Sequence, residues 1–223
     1  MIEPIAHIRS DFPEKFGIPR QSGLVPETVA RVVFLPEYRE EEAFRGIEGF
    51  SHLWLLWIFS ENKRQRWRPT VRPPRLGGNT RLGVFATRSP YRPNPIGLSC
   101  VRLLRLEHTE EGPVLVVSGA DLMDGTPILD VKPYLPYADA VPDARGGFTD
   151  EKEKKRLAVI FPQALSEGLE EEKKKALMGV LAQDPRPSYQ SDENRVYGVS
   201  FAEYNVKFTV KGDELTVCAV EKR

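Results

Sequence analysis

The chain has 223 residues, 40% of them hydrophobic and 29% charged, with 32 Lys and Arg balanced by 32 Asp and Glu. That length can bury a sizeable core in one large domain with or without a small appendage, and the composition excludes a disordered or uniformly basic chain. The cysteines Cys100 and Cys218 lie far apart with no CxxC pair, which argues against a disulfide framework and against a zinc site.

The longest apolar run, 53–59, is strand-sized and far short of the ~20 residues that span a bilayer. No basic segment followed by an apolar stretch opens the chain, so a cytoplasmic protein with no membrane or metal partner is expected.

Short apolar stretches with turn residues between them follow in order: 5–9, 29–35, 53–59, 82–87, 98–106, 114–118 and 128–131 all read as strands. The run Leu53-Trp54-Leu55-Leu56-Trp57-Ile58-Phe59 is apolar on both faces, which predicts a central strand. Only 40–47 reads as helical in this part. Seven strands with one short helix predict a mainly β barrel or sandwich.

The composition changes around 140–150, where Pro142, Gly146 and Gly147 form a linker-like turn before a charge cluster. Beyond it, 157–161 reads as a strand and 162–182 as a helix with Gly168 as a weak point. Residues 197–210 and 214–220 read as a hairpin through Lys211-Gly212-Asp213. The expected division is a β domain at 1–145 and a small α+β domain at 146–223.

Charge is segregated locally. Between Lys63 and Arg92 there are nine basic residues and no acidic one. Such a stretch suits a polyanion, because Arg binds phosphate bidentately and each neutralised phosphate releases a counterion. The alternative is a solvated loop whose arginines pair with Glu37, Glu40, Glu41 and Glu42. The Gly and Pro residues favour a shaped site, because they hold a conformation that a solvated loop does not require.

Four further segments carry more polar, Gly and Pro residues than packing needs. They are Lys15-Phe16-Gly17-Ile18-Pro19-Arg20-Gln21-Ser22-Gly23-Leu24, Phe50-Ser51-His52-Leu53-Trp54, Ala86-Thr87-Arg88-Ser89-Pro90-Tyr91-Arg92-Pro93-Asn94-Pro95-Ile96-Gly97 and Asp121 to Tyr134. The chain has no GxGxxG after a strand, no GxxxxGK[ST], no GxSxG and no HExxH, which argues against a Rossmann enzyme, a P-loop NTPase and a zinc protease.

These segments, together with Arg72-Pro73-Pro74-Arg75-Leu76-Gly77-Gly78-Asn79 and Asp124-Gly125-Thr126-Pro127-Ile128-Leu129-Asp130-Val131-Lys132-Pro133-Tyr134, resemble the TsaA-like family over about residues 3–140. The resemblance implies a single-sheeted β-barrel that binds S-adenosylmethionine without a Rossmann domain and works as a homodimer. It further implies methylation of N6 of threonylcarbamoyl-adenosine beside the anticodon of threonine-accepting tRNA. Carried over by motif, the cofactor contacts are expected from Pro19, Arg20, Gln21, Ser22, Gly23, Leu24, Arg88, Leu98, Asp124, Gly125, Thr126, Pro127 and Ile128. Where the resemblance leads one to expect His after the apolar strand, this chain has Ser60 followed by Glu61 at the cofactor position.

A sulfonium methyl donor loses its charge in the transition state, so catalysis by alignment is expected and rigid loops suit it. The donor's carboxylate needs a cation, for which Arg88 or Arg20 is the candidate. A base for the acceptor N–H is sought among Asp124, Asp130 and His52, with Tyr134 orienting the group. Arg64, Arg66, Arg68, Arg72, Arg75 and Arg92 are expected to hold the anticodon arm, with Trp67 or Tyr91 available for base stacking. The competing reading is a non-catalytic β-barrel module that binds RNA or a nucleotide.

Overall fold

The structure is a computed structural model describing residues 2–61, 67–150, 156–186 and 192–223, with only the backbone of Arg75. Strands β1 (Ala6–Arg9), β2 (Val29–Phe34), β3 (His52–Ile58), β4 (Thr70–Val71), β5 (Leu82–Gly83), β6 (Ile96–Thr109), β7 (Gly112–Ser118) and β8 (Pro127–Pro133) occupy the first part. Six of them close into one barrel in the order β1-β2-β7-β6-β3-β8, and every neighbour is antiparallel. The closing pair is β1 with β8, through Ala6 opposite Ile128. Closure leaves no exposed barrel edge to template aggregation.

Alternation along each strand fills the barrel. Ala30, Val32 and Phe34 of β2 point inward with Leu53, Leu55 and Trp57 of β3, Val101 and Leu103 of β6, and Leu115 and Val117 of β7. Trp54, Leu56 and Ile58 on the outward side of β3 are apolar too. Trp54 packs on Tyr134 and donates its indole N–H to Asp139, 3.0 Å away. β3 therefore lies between β6 and β8, as its composition suggests, but its outer face is only half-buried. β6 is long enough to serve two neighbours, pairing with β3 through 96–102 and with β7 through 102–109.

Two local expectations fail. The helix expected over 40–47 is a pair of 3-10 turns, Glu41–Phe44 and Ile47–Gly49, split at Gly46, whose φ of 87° breaks the helical path. The strand expected over 82–87 stops after two residues. A 3-10 turn at Val84–Ala86 then drops Val84 into the interior and turns Phe85 out.

After the short helix α1 (Pro136–Asp139), the second part contains β9 (Ala158–Ile160), α2 (Gln163–Ser166), α3 (Glu171–Ala182), β10 (Tyr197–Phe201), β11 (Tyr204–Lys211) and β12 (Glu214–Lys222). The sheet order is β10-β11-β12-β9, with β9 parallel to β12. Gly168, at φ 99°, separates α2 from α3, so the long helix expected over 162–182 is two. The expected hairpin is three strands, because a turn at Ala202, φ 50°, divides its first arm.

Helix α3 buries Ala176, Leu177, Val180 and Leu181 against this sheet. The same core takes in Phe12 and Val25 from the long connection between β1 and β2, with Phe16, Ile18 and Leu24 packed at its margin. Phe12 meets Phe201 edge-on, with centroids 5.7 Å apart, and the Ala202 N–H donates to the Asp11 carbonyl at 2.7 Å. Lys173 pairs with the Asp11 carboxylate. The connection that carries Pro19 to Leu24 is thus built into the second core, although it lies early in the chain.

Candidate active site

One rim of the barrel gathers the ends of β1 and β3 and the starts of β6 and β8, because antiparallel pairing brings Trp57 opposite both Gly97 and Ile128. An open cleft of about 950 Å³ lies there, within the range of small-molecule sites. Its walls come from four separate stretches: Lys15 to Gln21, Trp57 to Glu61, Thr87 to Leu98, and Asp121 to Thr126. The apolar lining includes Ile18, Trp57, Ile58, Phe59, Leu98 and Met123.

Polar groups converge on this lining. Arg88 donates to Gln21 Oε1 at 2.5 Å, and the Gln21 amide donates to the Arg20 carbonyl at 2.5 Å. The Ser99 hydroxyl donates to Asp121 Oδ1 at 2.5 Å and accepts the Trp57 indole N–H at 3.0 Å. Burial pushes the Asp121 carboxyl above the usual range; the Ser99 hydrogen bond, backbone N–H groups that include Ser22's, and the charge of Arg88 oppose that rise. A carboxylate and a guanidinium therefore face one cleft, both held by neighbours. This pair suits a zwitterionic amino-acid end, and the apolar walls suit a flat heterocycle. The donor set fits the expected cofactor.

Of the residues expected at the cofactor, Pro19, Arg20, Gln21, Ser60, Glu61, Arg88, Leu98 and Thr126 line the cleft. The others stand behind it. The Ser22 hydroxyl accepts the Cys100 N–H, the Gly23 N–H donates to the Gly119 carbonyl, and Leu24 packs on the second core. Gly125 donates its N–H to the Ile8 carbonyl, Pro127 opens β8 opposite His7, and Ile128 is fully buried in the barrel.

The catalytic candidates Asp124, Asp130 and Tyr134 do not line the cleft. The Asp124 carboxylate accepts the Ser10 N–H at 2.9 Å, and the Asp124 N–H donates to the Phe12 carbonyl, which makes it the pin of a turn. Asp130 bonds the Val131 N–H and pairs with Lys132 at 2.9 Å on the outside of the barrel. Tyr134 meets His52 edge-on there and lies tilted against Trp54. β8 slips register against β3, with Leu56 opposite Asp130 but Trp57 opposite Ile128, and this bulge breaks the alternation so that Val131 rather than Asp130 follows Ile128 toward the core.

Asp121 is the acid that sequence reasoning missed. Two signals marked it. It falls between the apolar residues Ala120 and Leu122, and Ser99 is a polar residue at a fully buried position of β6.

Among the basic candidates, Arg92 lines the cleft and donates to the Thr87 carbonyl at 3.0 Å, while Arg68 and Arg72 are exposed nearby. Arg64, Arg66 and the side chain of Arg75 lie outside the described residues.

A closed antiparallel barrel whose rim loops build a cleft for a zwitterionic, heterocyclic ligand defines a non-Rossmann cofactor-binding protein. Residues 7–140 match the tRNA-methyltransferase O N-terminal domain and residues 154–223 match the TrmO C-terminal domain. The tRNA (adenine(37)-N6)-methyltransferase of Escherichia coli strain K12 is 42% identical over 99% of this chain and 97% of its own. A putative S-adenosylmethionine-dependent methyltransferase, RcsF, of Pseudomonas aeruginosa is 47% identical over 92% of this chain and 90% of its own. A crystal structure of TrmO from Pseudomonas aeruginosa superposes with a TM-score of 0.79 at 38% identity, covering 99% of this chain and 98% of that one. The chain belongs to the tRNA-methyltransferase O family.

Proposed function

We infer that this chain is an S-adenosylmethionine-dependent methyltransferase acting on N6 of the adenine at tRNA position 37, as its relatives are named. Its acceptor is threonylcarbamoyl-adenosine in threonine-accepting tRNA. The reading is carried by one observation. Loop segments that resemble the family at separate places in the chain meet in a single cleft with Arg88 and Asp121 at its wall.

The cofactor, when bound, supplies an electrophilic methyl group on a sulfonium. Arg88, oriented by Gln21, would hold its carboxylate, and Asp121, oriented by Ser99, would hold its amino group. Trp57, Phe59, Leu98 and Met123 would flank the heterocycle and exclude water. Positioning supplies most of the acceleration, since the donor loses charge as it reacts and needs no added cation there. Arg64, Arg66, Arg68, Arg72, Arg75 and Arg92 are assigned to the anticodon arm.

The same reading takes the enzyme as a cytoplasmic homodimer with a catalytic barrel at 1–145 and a smaller domain at 146–223. Ile96 and Leu98 on the outer side of β6 support self-association, with Leu98 50% exposed beside the apolar outer face of β3.

Incubation with labelled S-adenosylmethionine and threonylcarbamoyl-modified tRNA should transfer label, and tRNA lacking the modification should stay unlabelled. Equal labelling of both refutes the acceptor assignment. An absence of cofactor binding by calorimetry refutes the enzyme reading and leaves the non-catalytic module.

A further inference from the structure

Trp67 and Phe85 come from different strand ends and stack on one another, with centroids 6.2 Å apart and planes inclined by 26°. Neither ring is buried by the contact: Trp67 is 49% exposed and Phe85 72%. Packing does not explain them, because the residue that anchors this turn is Val84, fully enclosed next to Phe85.

The backbone beneath the two rings is tied down. β4 and β5 pair through Thr70 with Gly83 and Val71 with Leu82, and the Val84 N–H donates to the Pro69 carbonyl at 2.9 Å. Arg81 donates to the Thr70 hydroxyl at 3.2 Å. The Arg68 N–H donates to the Tyr91 carbonyl at 3.2 Å, which fastens this ribbon to the loop that lines the cleft. Thr87 and Arg88, just beyond Phe85 in the chain, are themselves cleft residues.

Charge and shape together select the occupant. No acidic residue occurs between Lys63 and Arg92, so the surroundings of the rings favour a polyanion. Two exposed, nearly parallel rings on a fixed ribbon offer faces on which unpaired bases stack, and stacking needs no sequence readout. A paired stem hides its base faces and would gain only from the arginines.

We propose that Trp67 and Phe85 form a stacking platform for the unpaired bases that flank the acceptor adenosine in single-stranded RNA at the mouth of the cleft. This rests on the tRNA reading above. The platform holds the loop open and the arginines hold its backbone, so base contact and charge contact are divided between different side chains.

The test uses an anticodon stem-loop with 2-aminopurine next to the acceptor adenosine, and the whole protein as wild type, Phe85→Ala, Phe85→Tyr and Trp67→Ala. Removing one stacking partner should weaken stem-loop binding about 5- to 150-fold, the range for a lost base–aromatic stack. The slope of log Kd against log salt should stay unchanged, because no phosphate contact is lost. Phe85→Tyr should restore binding and the quenching of 2-aminopurine. Affinity for S-adenosylmethionine and for a fully paired duplex should match wild type in every variant.

Stem-loop binding by Phe85→Ala within twofold of wild type overturns the platform while leaving the methyltransferase reading intact. A changed sedimentation coefficient for Phe85→Ala or Trp67→Ala also overturns it, since the rings would then be a contact between copies of the chain. Wild-type protein that neither binds nor methylates any tRNA sinks the platform together with the reading beneath it.

Discussion

Gly17 and Val199 touch so closely that a Cβ on Gly17 would fall 2.3 Å from Val199 Cγ2. Gly17 belongs to the connection that forms one cleft wall, and Val199 lies in β10 of the second sheet. The C-terminal sheet therefore sets where this wall of the cleft runs. The Leu24 carbonyl accepts from Arg156 at 3.2 Å and from Gln183 at 3.5 Å at the far end of the same loop.

Replacing Gly17 by Ala adds a methyl group that must displace Val199, and places a side chain at φ 92°. Overpacking and left-handed backbone together should cost about 2–4 kcal/mol of stability. Val199→Ala should relieve the clash but not the backbone strain, so the double variant should be less destabilised than the two single effects summed. Denaturant unfolding checks this. Calorimetry on the folded Gly17→Ala protein should show weaker S-adenosylmethionine binding, although the methyl group lies outside the Arg88–Asp121 pair.

Asp121 is held by burial above the ordinary carboxylate pKa. A folded-state pKa above the unfolded one means that the native state binds more protons in the window between the two. Stability from this group is present at acid pH and is lost as pH rises through the raised value, so at neutral pH the charge is a net cost. Asp121→Asn keeps an oxygen for the Ser99 hydroxyl and should raise the thermal midpoint at pH 7. That advantage should shrink as pH falls from the raised value toward the ordinary Asp value and be gone below it. The same variant should bind S-adenosylmethionine more weakly, trading function against stability. A lower midpoint at pH 7 contradicts the assignment.

Arg88 is exposed and oriented by Gln21, so its loss removes a charge without removing packing. Arg88→Ala should weaken S-adenosylmethionine binding by about 10- to 100-fold, the value of a charge-assisted hydrogen bond, with little change in unfolding. Gln21→Ala should cost less, since it frees Arg88 without discharging it. Calorimetric titration of both variants separates the two roles.

Gly97 lies under the ring of Trp57, and a Cβ there would fall 2.2 Å from Trp57 Cε2. Gly97→Ala must push the indole off Ser99 and release Asp121 from its fixed position. A loss of about 1–3 kcal/mol in stability is expected, together with a collapse of cofactor affinity. Trp57→Phe keeps most of the ring but drops the indole N–H, and should cost about 1 kcal/mol. Tryptophan fluorescence on adding S-adenosylmethionine should lose part of its response in Trp57→Phe.

Short apolar stretches between turn residues located β1, β2, β3, β6, β7 and β8 to within a few residues, since the side chains a strand buries are written along the strand itself. The Pro- and Gly-rich segments likewise marked the loops of the cleft, because φ limits are a property of single residues. Which acid faces that cleft was decided only by packing. Asp121 and Asp124 sit three positions apart in one turn, yet Asp124 caps Ser10 while Asp121 meets Ser99 from a strand 22 residues away in sequence. Desolvation of a carboxyl depends on what the rest of the chain lays over it, and no local pattern records that. For the same reason, the joining of residues 12–25 to the C-terminal core became visible only once distant apolar faces had found each other.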